Sequence, residues 1–280
     1  MHNAAFAALG LDWRYLAFEV APENLRTAIS GALAMNFSGL NLTVPHKILA
    51  LDMVDVLDES ARTWGAVNTI GFEGRGPDGE WRRLSDFEPD GQAGPVTRRT
   101  RGFNTDADGI SRSLREDLRV ELPGRRVLVL GVGGAGRSIA LKLASEKVAE
   151  LFLFNRTTTR AEELAAEITA RFPAVQVAVG LPPASVDLLI NATSLGLKPA
   201  DALPLDLSRF PLNRALAVYD AIYRPAATPL LLAAQAAGCR TANGLGMLLH
   251  QGAAAFEIFT GKIAPLDVMR QALEQSIYGR

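Results

Sequence analysis

A glycine-rich turn between an apolar run and a helical run constrains the fold of this chain more than any other feature of its sequence. Val127–Leu130 is apolar and rich in valine, and it stops at the turn Gly131-Val-Gly133-Gly-Ala-Gly136. In a G-x-G-x-x-G turn the first glycine allows a tight bend, the second lets backbone approach a pyrophosphate, and the third lets the helix pack against the strand. Amide groups at the helix start then point at phosphate oxygens. This context predicts a dinucleotide site, whereas a plain βα turn is the alternative.

Strands and helices alternate regularly around and after this turn. The predicted strands are Val127–Leu130, Glu150–Phe154, Gln176–Val179, Val186–Asn191 and Ala215–Asp220. Helices are predicted up to Ala144, over Thr159–Phe172 and from Thr228 to Ala237. Such alternation predicts an α/β fold with a parallel, doubly wound sheet. Ligands bind at the carboxyl ends of these strands, where Asn191–Ser194 and Asp220–Tyr223 lie.

The residues after the second strand indicate which dinucleotide would bind. An NAD site usually has an acidic residue about 20 residues past the glycines, where it holds the ribose hydroxyls. Here the strand runs into Asn155-Arg156-Thr157 with Arg160 close behind, and none of these is acidic. A guanidinium meets phosphate with a fork of donors, so the turn favours the 2′-phosphate of NADP. The alternative is an exposed arginine at an ordinary turn.

Residues 1 to about 110 form a second α/β region in this interpretation. The pattern predicts a helix over His2–Leu9, a strand over Trp13–Val20, a helix with Leu25, Ile29 and Leu33 on its apolar face, a strand over Ser38–Pro45, and a helix that His46 and Lys47 open. Gly71–Arg101 is rich in glycine, proline and arginine. We therefore expect an irregular surface excursion there, which can include a strand pair.

Polar residues typical of a site occur in three segments of this region, Asn41–Lys47, Gly65–Thr69 and Gly102–Gly109. Each residue also has a plainer interpretation. Lys47 can be a solvated lysine, Asn68 a hydrogen-bonding strand residue, and Asp106 or Asp108 a helix cap. Gln251, in the apolar helix that follows Gly244, needs a polar partner, either a substrate hydroxyl or a backbone carbonyl.

The composition narrows the class of protein. Hydrophobic residues make up 48% and charged residues 21%, so a packed core is expected. The formal net charge of −1 gives no sign of a nucleic-acid partner or an anionic membrane surface. The single cysteine, Cys239, fits a cytoplasmic location, and no apolar run reaches the roughly 18 residues of a membrane span. We expect no metal, because the three histidines lack ligand spacing.

Several motifs together resemble the shikimate dehydrogenase family over nearly the whole chain. They are NLTVPHK, GAVNT, GFNTDADG, GVGGAGR, NRT, NATSLG, the Asp220–Pro229 segment and GLGMLLHQ, in the family's order. The family interconverts 3-dehydroshikimate and shikimate with NADPH in aromatic amino-acid (chorismate) biosynthesis. The resemblance implies an N-terminal α/β substrate domain of residues 1–110 plus 246–280, and a Rossmann-type NADP domain of residues 111–245. Whether the chain is a monomer or a homodimer stays open.

The resemblance also assigns roles to residues. Lys47 and Asp106 would form the catalytic pair. The substrate would be bound by Thr43, Asn68, Tyr223 and Gln251. The glycine turn would bind NADP through Gly131, Gly133, Gly134, Ala135, Gly136 and Arg137. The adenosine ribose phosphate would be held by Asn155, Arg156, Thr157 and Arg160, and the nicotinamide side would be lined by Thr193, Ser194, Gly244 and Met247.

One departure from the family lies at the start of the chain. The family normally begins with a strand and a Ser-x-Ser-Pro segment whose serines bind the substrate carboxylate, whereas this sequence starts at the following Met-His-Asn helix. We expect a start codon assigned too late; the alternative is a truncated paralogue of weak or altered activity. Other functional alternatives are a quinate or aminoshikimate dehydrogenase and a non-catalytic binder of NADP or shikimate-like acids.

Overall fold

The computed structural model describes residues 1–87, 94–198 and 200–279, which form two compact units. The first unit comprises Met1–Asp106 and Gln251–Leu273, and the second comprises Ala107–His250 and the C-terminal residues from Glu274. The sequence predicted one domain of residues 1–110 plus 246–280, which includes the whole C-terminal segment. The two compact units divide this C-terminal segment between them after Leu273. Which ligand each domain binds remains a prediction.

The first unit is built on a mixed five-stranded sheet. Its strands are β1 (Gly39–Asn41), β2 (Val56–Leu57), β3 (Thr69–Arg75), β4 (Trp81–Arg83) and β5 (Thr97–Phe103). The order is β1-β3-β5-β2, with β4 paired to β3, and only the β2–β5 pair is parallel. The helices that precede the last strand are α1 (His2–Ala8), α2 (Leu25–Ala34), α3 (His46–Leu49) and α4 (Glu59–Trp64).

Packing of α2 on the sheet forms the core of this unit. Leu25 and Ile29 lie one turn apart on α2, and both are buried against Ile70 and Phe72 of β3. Residues four apart share one face of a helix, so this helix offers the sheet a continuous apolar stripe.

The second unit contains a six-stranded parallel sheet. Its strands are β6 (Arg126–Leu130), β7 (Glu150–Phe154), β8 (Gln176–Val179), β9 (Val186–Asn191), β10 (Ala215–Asp220) and β11 (Arg240–Asn243), in the order β11-β10-β9-β6-β7-β8. The remaining helices of the chain are α5 (Asp106–Leu118), α6 (Gly134–Ser145), α7 (Thr158–Arg171), α8 (Pro229–Ala236), α9 (Leu245–Thr260) and α10 (Leu266–Tyr278). The strand order reverses between β6 and β9, which makes that edge the expected ligand crevice of a doubly wound sheet. The predicted α/β class and parallel sheet are confirmed.

One predicted strand of the first unit is wrong and another is shorter than expected, because local sequence does not specify strand partners. Trp13–Val20 forms no strand: the Asn3 side chain takes both backbone groups of Tyr15, accepting from its N–H at 2.7 Å and donating to its carbonyl at 3.0 Å. Leu16 and Phe18 are left 64% and 63% exposed. The predicted strand over Ser38–Pro45 is limited to β1.

The expected irregular excursion over Gly71–Arg101 is corrected in part, because the strand pairing that this expectation allowed makes up much of the segment. Its two ends belong to β3 and β5, which pair antiparallel from Thr69 opposite Phe103 to Arg75 opposite Thr97. The arginines of this segment lie on the sheet, where Arg99 pairs with Glu73 at 2.6 Å. Residues 88–93 of this segment lie outside the described residues. The short strand β11 carries no strong apolar pattern and was not predicted.

Within the described ranges, no helix combines the length and apolarity needed to cross a membrane. The same residues contain no group of three His, Cys, Asp or Glu that could hold a metal ion.

His2 is a buried titratable group in the first unit. Its ring is 5% exposed and stacks on Tyr15 with 4.3 Å between ring centroids, and Phe256 lies 6.3 Å away. Burial, aided by the N-terminal charge, lowers the pKa of His2 from 6.5 to about 4. The folded state therefore holds this ring neutral at a pH where the unfolded chain would protonate it.

This lowered pKa predicts an acid-dependent loss of stability. Between pH 6.5 and 4 the unfolded chain binds more protons at His2 than the folded chain, so the free energy of unfolding falls as pH falls through that window. The contribution of His2 is about 2.5 kcal/mol between pH 7.5 and 4.5. Urea unfolding at both pH values should show a smaller decrease for His2→Phe than for the wild type by about this amount. Equal decreases in the two proteins would contradict the assignment.

Candidate functional site

An ion pair joins Lys47 to Asp106 in the first unit. Lys47 lies in the short helix α3, and its Nζ is 2.7 Å from Oδ2 of Asp106, the first residue of α5. The side chains are 28% and 17% exposed, so both are partly screened from water. The structure thus brings together the two residues that the sequence predicted as a pair.

Hydrogen bonds around Asp106 hold its segment against the rest of the unit. Asn104 Oδ1 accepts from the Asp106 N–H at 3.1 Å, and Asn104 Nδ2 donates to the carbonyl of Ala66 at 3.1 Å. Asn68 Oδ1 accepts from the Thr105 N–H at 2.8 Å, and Asn68 Nδ2 donates to Thr105 Oγ1 at 2.9 Å. The sequence motifs include Asn104 and Thr105 but assigned no role to either residue. Their position just before a predicted helix was the only sequence signal that they bind backbone groups there.

Two predicted substrate residues of this unit lie in different environments. Asn68 is 1% exposed, and its amide is used by Thr105 and Thr69. The plainer interpretation of Asn68, a hydrogen-bonding residue next to a strand, therefore describes its contacts in this structure. Thr43 is exposed in the turn between β1 and α3, where its carbonyl accepts from the His46 N–H at 2.8 Å. Thr43 lies outside any strand.

The glycine turn of the second unit has the shape that a pyrophosphate requires. Gly131 has a φ of +87°, and a Cβ at Gly136 would overlap the Gly131 carbonyl oxygen. A Cβ added at Gly133 or Gly134 would meet nothing within 4 Å. Both are exposed at the start of α6, whose first amides are free of helical partners. The residues present therefore fit a dinucleotide phosphate at this helix end.

The turn after β7 is tied to the glycine turn. Asn155 Oδ1 accepts from the Val132 N–H at 3.1 Å, and Asn155 Nδ2 donates to the Thr157 carbonyl at 2.9 Å. Arg156 and Arg160 are exposed beside it. Arg137, by contrast, is paired with Glu167 of α7, with Nη2 donating to Oε1 at 2.9 Å. Arg156 and Arg160 thus leave two guanidinium groups on the surface where a ribose phosphate is expected.

The predicted nicotinamide-side residues lie in two segments of the second unit. Thr193 and Ser194 follow β9, and the Thr193 hydroxyl donates to Asn191 Oδ1 at 2.7 Å. Gly244 is buried just before α9, and Met247 lies in its first turn. Tyr223, after β10, is 39% exposed, and its carbonyl accepts from the Tyr278 hydroxyl at 2.7 Å.

α9 continues past Met247 to Gln251, which is partly buried and is the first residue of this helix assigned to the first unit. Buried polar residues at strand ends, Asn191 and Asp220, were noted in the sequence without a role.

Three protein-family models match this chain. The model described as the shikimate dehydrogenase substrate binding domain matches residues 1–70. The shikimate / quinate 5-dehydrogenase model matches residues 113–195, and the shikimate 5′-dehydrogenase C-terminal domain matches residues 244–274.

Related proteins and solved structures are similar to this chain over nearly its full length. The shikimate dehydrogenase (NADP(+)) of Methanopyrus kandleri is 39% identical, over 98% of this chain and 89% of that protein. A shikimate dehydrogenase structure in complex with NADP+ has a TM-score of 0.81 and 34% identity, covering 99% of this chain and 89% of that one. The shikimate 5-dehydrogenase of Thermus thermophilus, in complex with NADP(H) and shikimate, has a TM-score of 0.78 and 33% identity, covering 98% of this chain and 92% of that one. This chain belongs to the shikimate dehydrogenase family.

Proposed function

We propose that this chain is an NADP-dependent oxidoreductase that interconverts 3-dehydroshikimate and shikimate in aromatic amino-acid (chorismate) biosynthesis. The observation that carries the proposal is the Lys47–Asp106 ion pair, in which both side chains are partly exposed. It occurs in a chain whose relatives are named shikimate dehydrogenase (NADP(+)). A non-catalytic binder of the same ligands would have no need for such a pair.

Lys47 is proposed as the proton donor for ketone reduction. Bound NADPH supplies a hydride to the carbonyl carbon, so the carbonyl oxygen gains negative charge and needs a proton. Lys47 Nζ stabilises that charge and passes the proton to the oxygen. Asp106 Oδ2 lies 2.7 Å from Nζ. The carboxylate restrains the position of the ammonium group and balances its positive charge when no substrate is bound. In the direction of shikimate oxidation the same nitrogen accepts the hydroxyl proton.

The proposed cofactor site uses three parts of the second unit. The exposed amides at Gly133 and Gly134 receive the pyrophosphate, and Arg156 with Arg160 holds the 2′-phosphate. The hydrogen bond from the Val132 N–H to Asn155 supports the role of Asn155 in this site, because it fixes the Asn155–Arg156 turn relative to the glycine turn. The third part is the nicotinamide side, made of Thr193, Ser194, Gly244 and Met247. Arg137 contributes less, because Glu167 already occupies its guanidinium.

Thr43, Tyr223 and Gln251 are proposed to bind the hydroxyls and carboxylate of the substrate. Asn68 is buried, and we propose that it supports the site by positioning its neighbours. Its hydrogen bonds to Thr105 fix the residue next to Asp106. We further propose a cytoplasmic protein, monomeric or homodimeric, that binds neither nucleic acid nor membrane. Quinate is the competing substrate, and side-by-side assays with shikimate and quinate, each with NADP and with NAD, decide between them.

Replacing Lys47 should abolish most of the activity. Lys47→Ala removes the proton donor, and general acid catalysis contributes about 10²–10⁴-fold, so kcat for shikimate oxidation should fall by at least about 10²-fold. The measurement is NADPH formation at 340 nm with saturating shikimate. Lys262→Ala removes an exposed lysine of the same unit and should leave kcat unchanged. Undiminished turnover by Lys47→Ala would contradict the catalytic role.

Replacing Arg156 should weaken the preference for NADP over NAD. A charge-assisted hydrogen bond to phosphate is worth about 1.5–3 kcal/mol, so Arg156→Ala should raise the KM for NADP at least about tenfold and leave the KM for NAD little changed. Arg171→Ala is the matched control, because it removes a guanidinium from the last residue of α7, about 20 Å from the first turn of the helix, which begins two residues after Arg156. An equal rise in both KM values, or none, would refute the 2′-phosphate site.

A further inference from the structure

Asp220 is a fully buried carboxylate at the carboxyl end of β10. Its Oδ1 accepts from Asn191 Nδ2 at 3.0 Å and from the Ile222 N–H at 3.1 Å, and its Oδ2 accepts from Thr228 Oγ1 at 2.6 Å. Burial raises the pKa of Asp220, although the three donors oppose that rise. Burying a carboxyl group costs free energy unless its hydrogen bonds are kept. Asp220 therefore fixes the chain segments that supply its three donors.

The first of these segments follows β9. Asn191 lies directly opposite Asp220 in the sheet, and its Nδ2 donates also to the Leu195 carbonyl at 3.1 Å. Its Oδ1 accepts from the N–H and the hydroxyl of Thr193 at 3.0 and 2.7 Å. Every hydrogen-bonding position of the Asn191 side chain is therefore used, and the turn that carries Thr193 and Ser194 depends on it.

The second segment runs from Asp220 to the start of α8. The Ile222 N–H binds the carboxylate directly, and Thr228 caps α8 by accepting from the Leu231 N–H at 3.3 Å. This segment carries Tyr223. It also contacts the start of α9, because the Gly244 N–H donates to the Ile222 carbonyl at 3.2 Å and a Cβ at Gly244 would overlap the Ala221 carbonyl oxygen.

The adenosine end of the proposed NADP site lies away from this network. In the sheet order, β10 is separated from β7 by β9 and β6. Three spacings of about 4.8 Å place the carboxyl end of β10 roughly 14 Å from that of β7, where Asn155 and Arg156 follow. The Asp220 network meets the glycine turn at Thr193, whose Cγ2 would lie 2.7 Å from a Cβ at Gly131, and the neighbouring Ala192 lies against the same turn.

We infer that Asp220 is a positioning residue for the nicotinamide half of the cofactor: it fixes the Thr193–Ser194 turn and the Ile222–Thr228 segment, and does not act on the adenosine half. The inference rests on the proposed function, because it takes these two segments as the nicotinamide side. A merely structural Asp220 would instead affect binding of both halves of the cofactor together, through the stability of the whole sheet.

The test compares wild type with Asp220→Asn, which keeps the shape of the side chain but turns an NH2 group toward one of the donors. Three quantities are measured: kcat with saturating shikimate and NADP, the emission of bound NADPH, and the dissociation constant of 2′-phospho-ADP-ribose, which lacks nicotinamide. We expect kcat to fall at least tenfold, the emission of bound NADPH to shift toward that of free NADPH, and the dissociation constant of the fragment to change less than twofold. A kcat within twofold of wild type, or a loss of fragment affinity as large as the loss of kcat, would overturn the inference.

A second pair of variants covers the case in which Asp220→Asn does not fold. Thr228→Val removes the donor to Oδ2 and should lower kcat at least threefold with unchanged fragment affinity, whereas Thr228→Ser keeps the hydroxyl and should restore kcat to within twofold of wild type. Equal activity of the Val and Ser variants would overturn the inference. If wild type binds NADPH but does not oxidise shikimate, the proposed function fails and the emission of bound NADPH alone decides the role of Asp220. If wild type binds no NADPH, both proposals fail.

Discussion

The Lys47–Asp106 ion pair is the contact on which the chemistry proposed for the first unit depends. It joins two residues 59 positions apart in the chain, and local structure alone cannot keep such residues together. The pairing of β3 with β5 does so, because Thr69 lies opposite Phe103 and brings the segments before and after these strands side by side. Asn68 and Asn104 then bind Thr105 and Asp106 through side-chain amides. The carbonyl of Lys47 accepts from the Val67 N–H, just before β3, at 2.8 Å. The β3–β5 ladder therefore helps to hold the lysine and the carboxylate together, and the sequence had indicated only that a strand pair can occur there.

The second unit relies on a different constraint, the alignment of parallel strand ends at one edge of a sheet. β6, β9 and β10 are in register, with Leu130 opposite Asn191 and Asn191 opposite Asp220. The segments that follow these strands are consequently neighbours, and one buried carboxylate can bind two of them. Glycine at position 131 lets the third, the phosphate-binding turn, approach the Thr193 side chain. Cofactor binding on this account divides into a phosphate and adenosine part around β6 and β7 and a nicotinamide part around β9 and β10.

The sequence predicted the second unit well and the first unit less well, for a physical reason. Parallel strands buried on both faces are continuous apolar runs, so β7, β9 and β10 were found with their observed bounds. The mixed sheet of the first unit has short or polar strands that form only against partners distant in sequence. The arginines of β5, for example, pair with Glu73 of β3. Among site residues, the motifs brought out Lys47 and Asp106, which do meet. The apolar segment around Asn68 indicated that this residue is buried. The motifs could not reveal that Thr105 occupies its amide, or that Glu167 binds Arg137, because both facts depend on tertiary contacts.

The central claim is that Lys47 and Asp106 act as one unit in proton transfer, and a double-mutant cycle tests it most directly. Lys47→Met, Asp106→Asn and the double variant are compared with wild type by kcat for shikimate oxidation at saturating NADP. Residues that act as a unit lose activity non-additively. We predict that the double variant has a kcat within threefold of that of Lys47→Met, because the carboxylate has no catalytic role without the lysine. Losses that multiply, so that the double variant falls by the product of the two single effects, would contradict the claim.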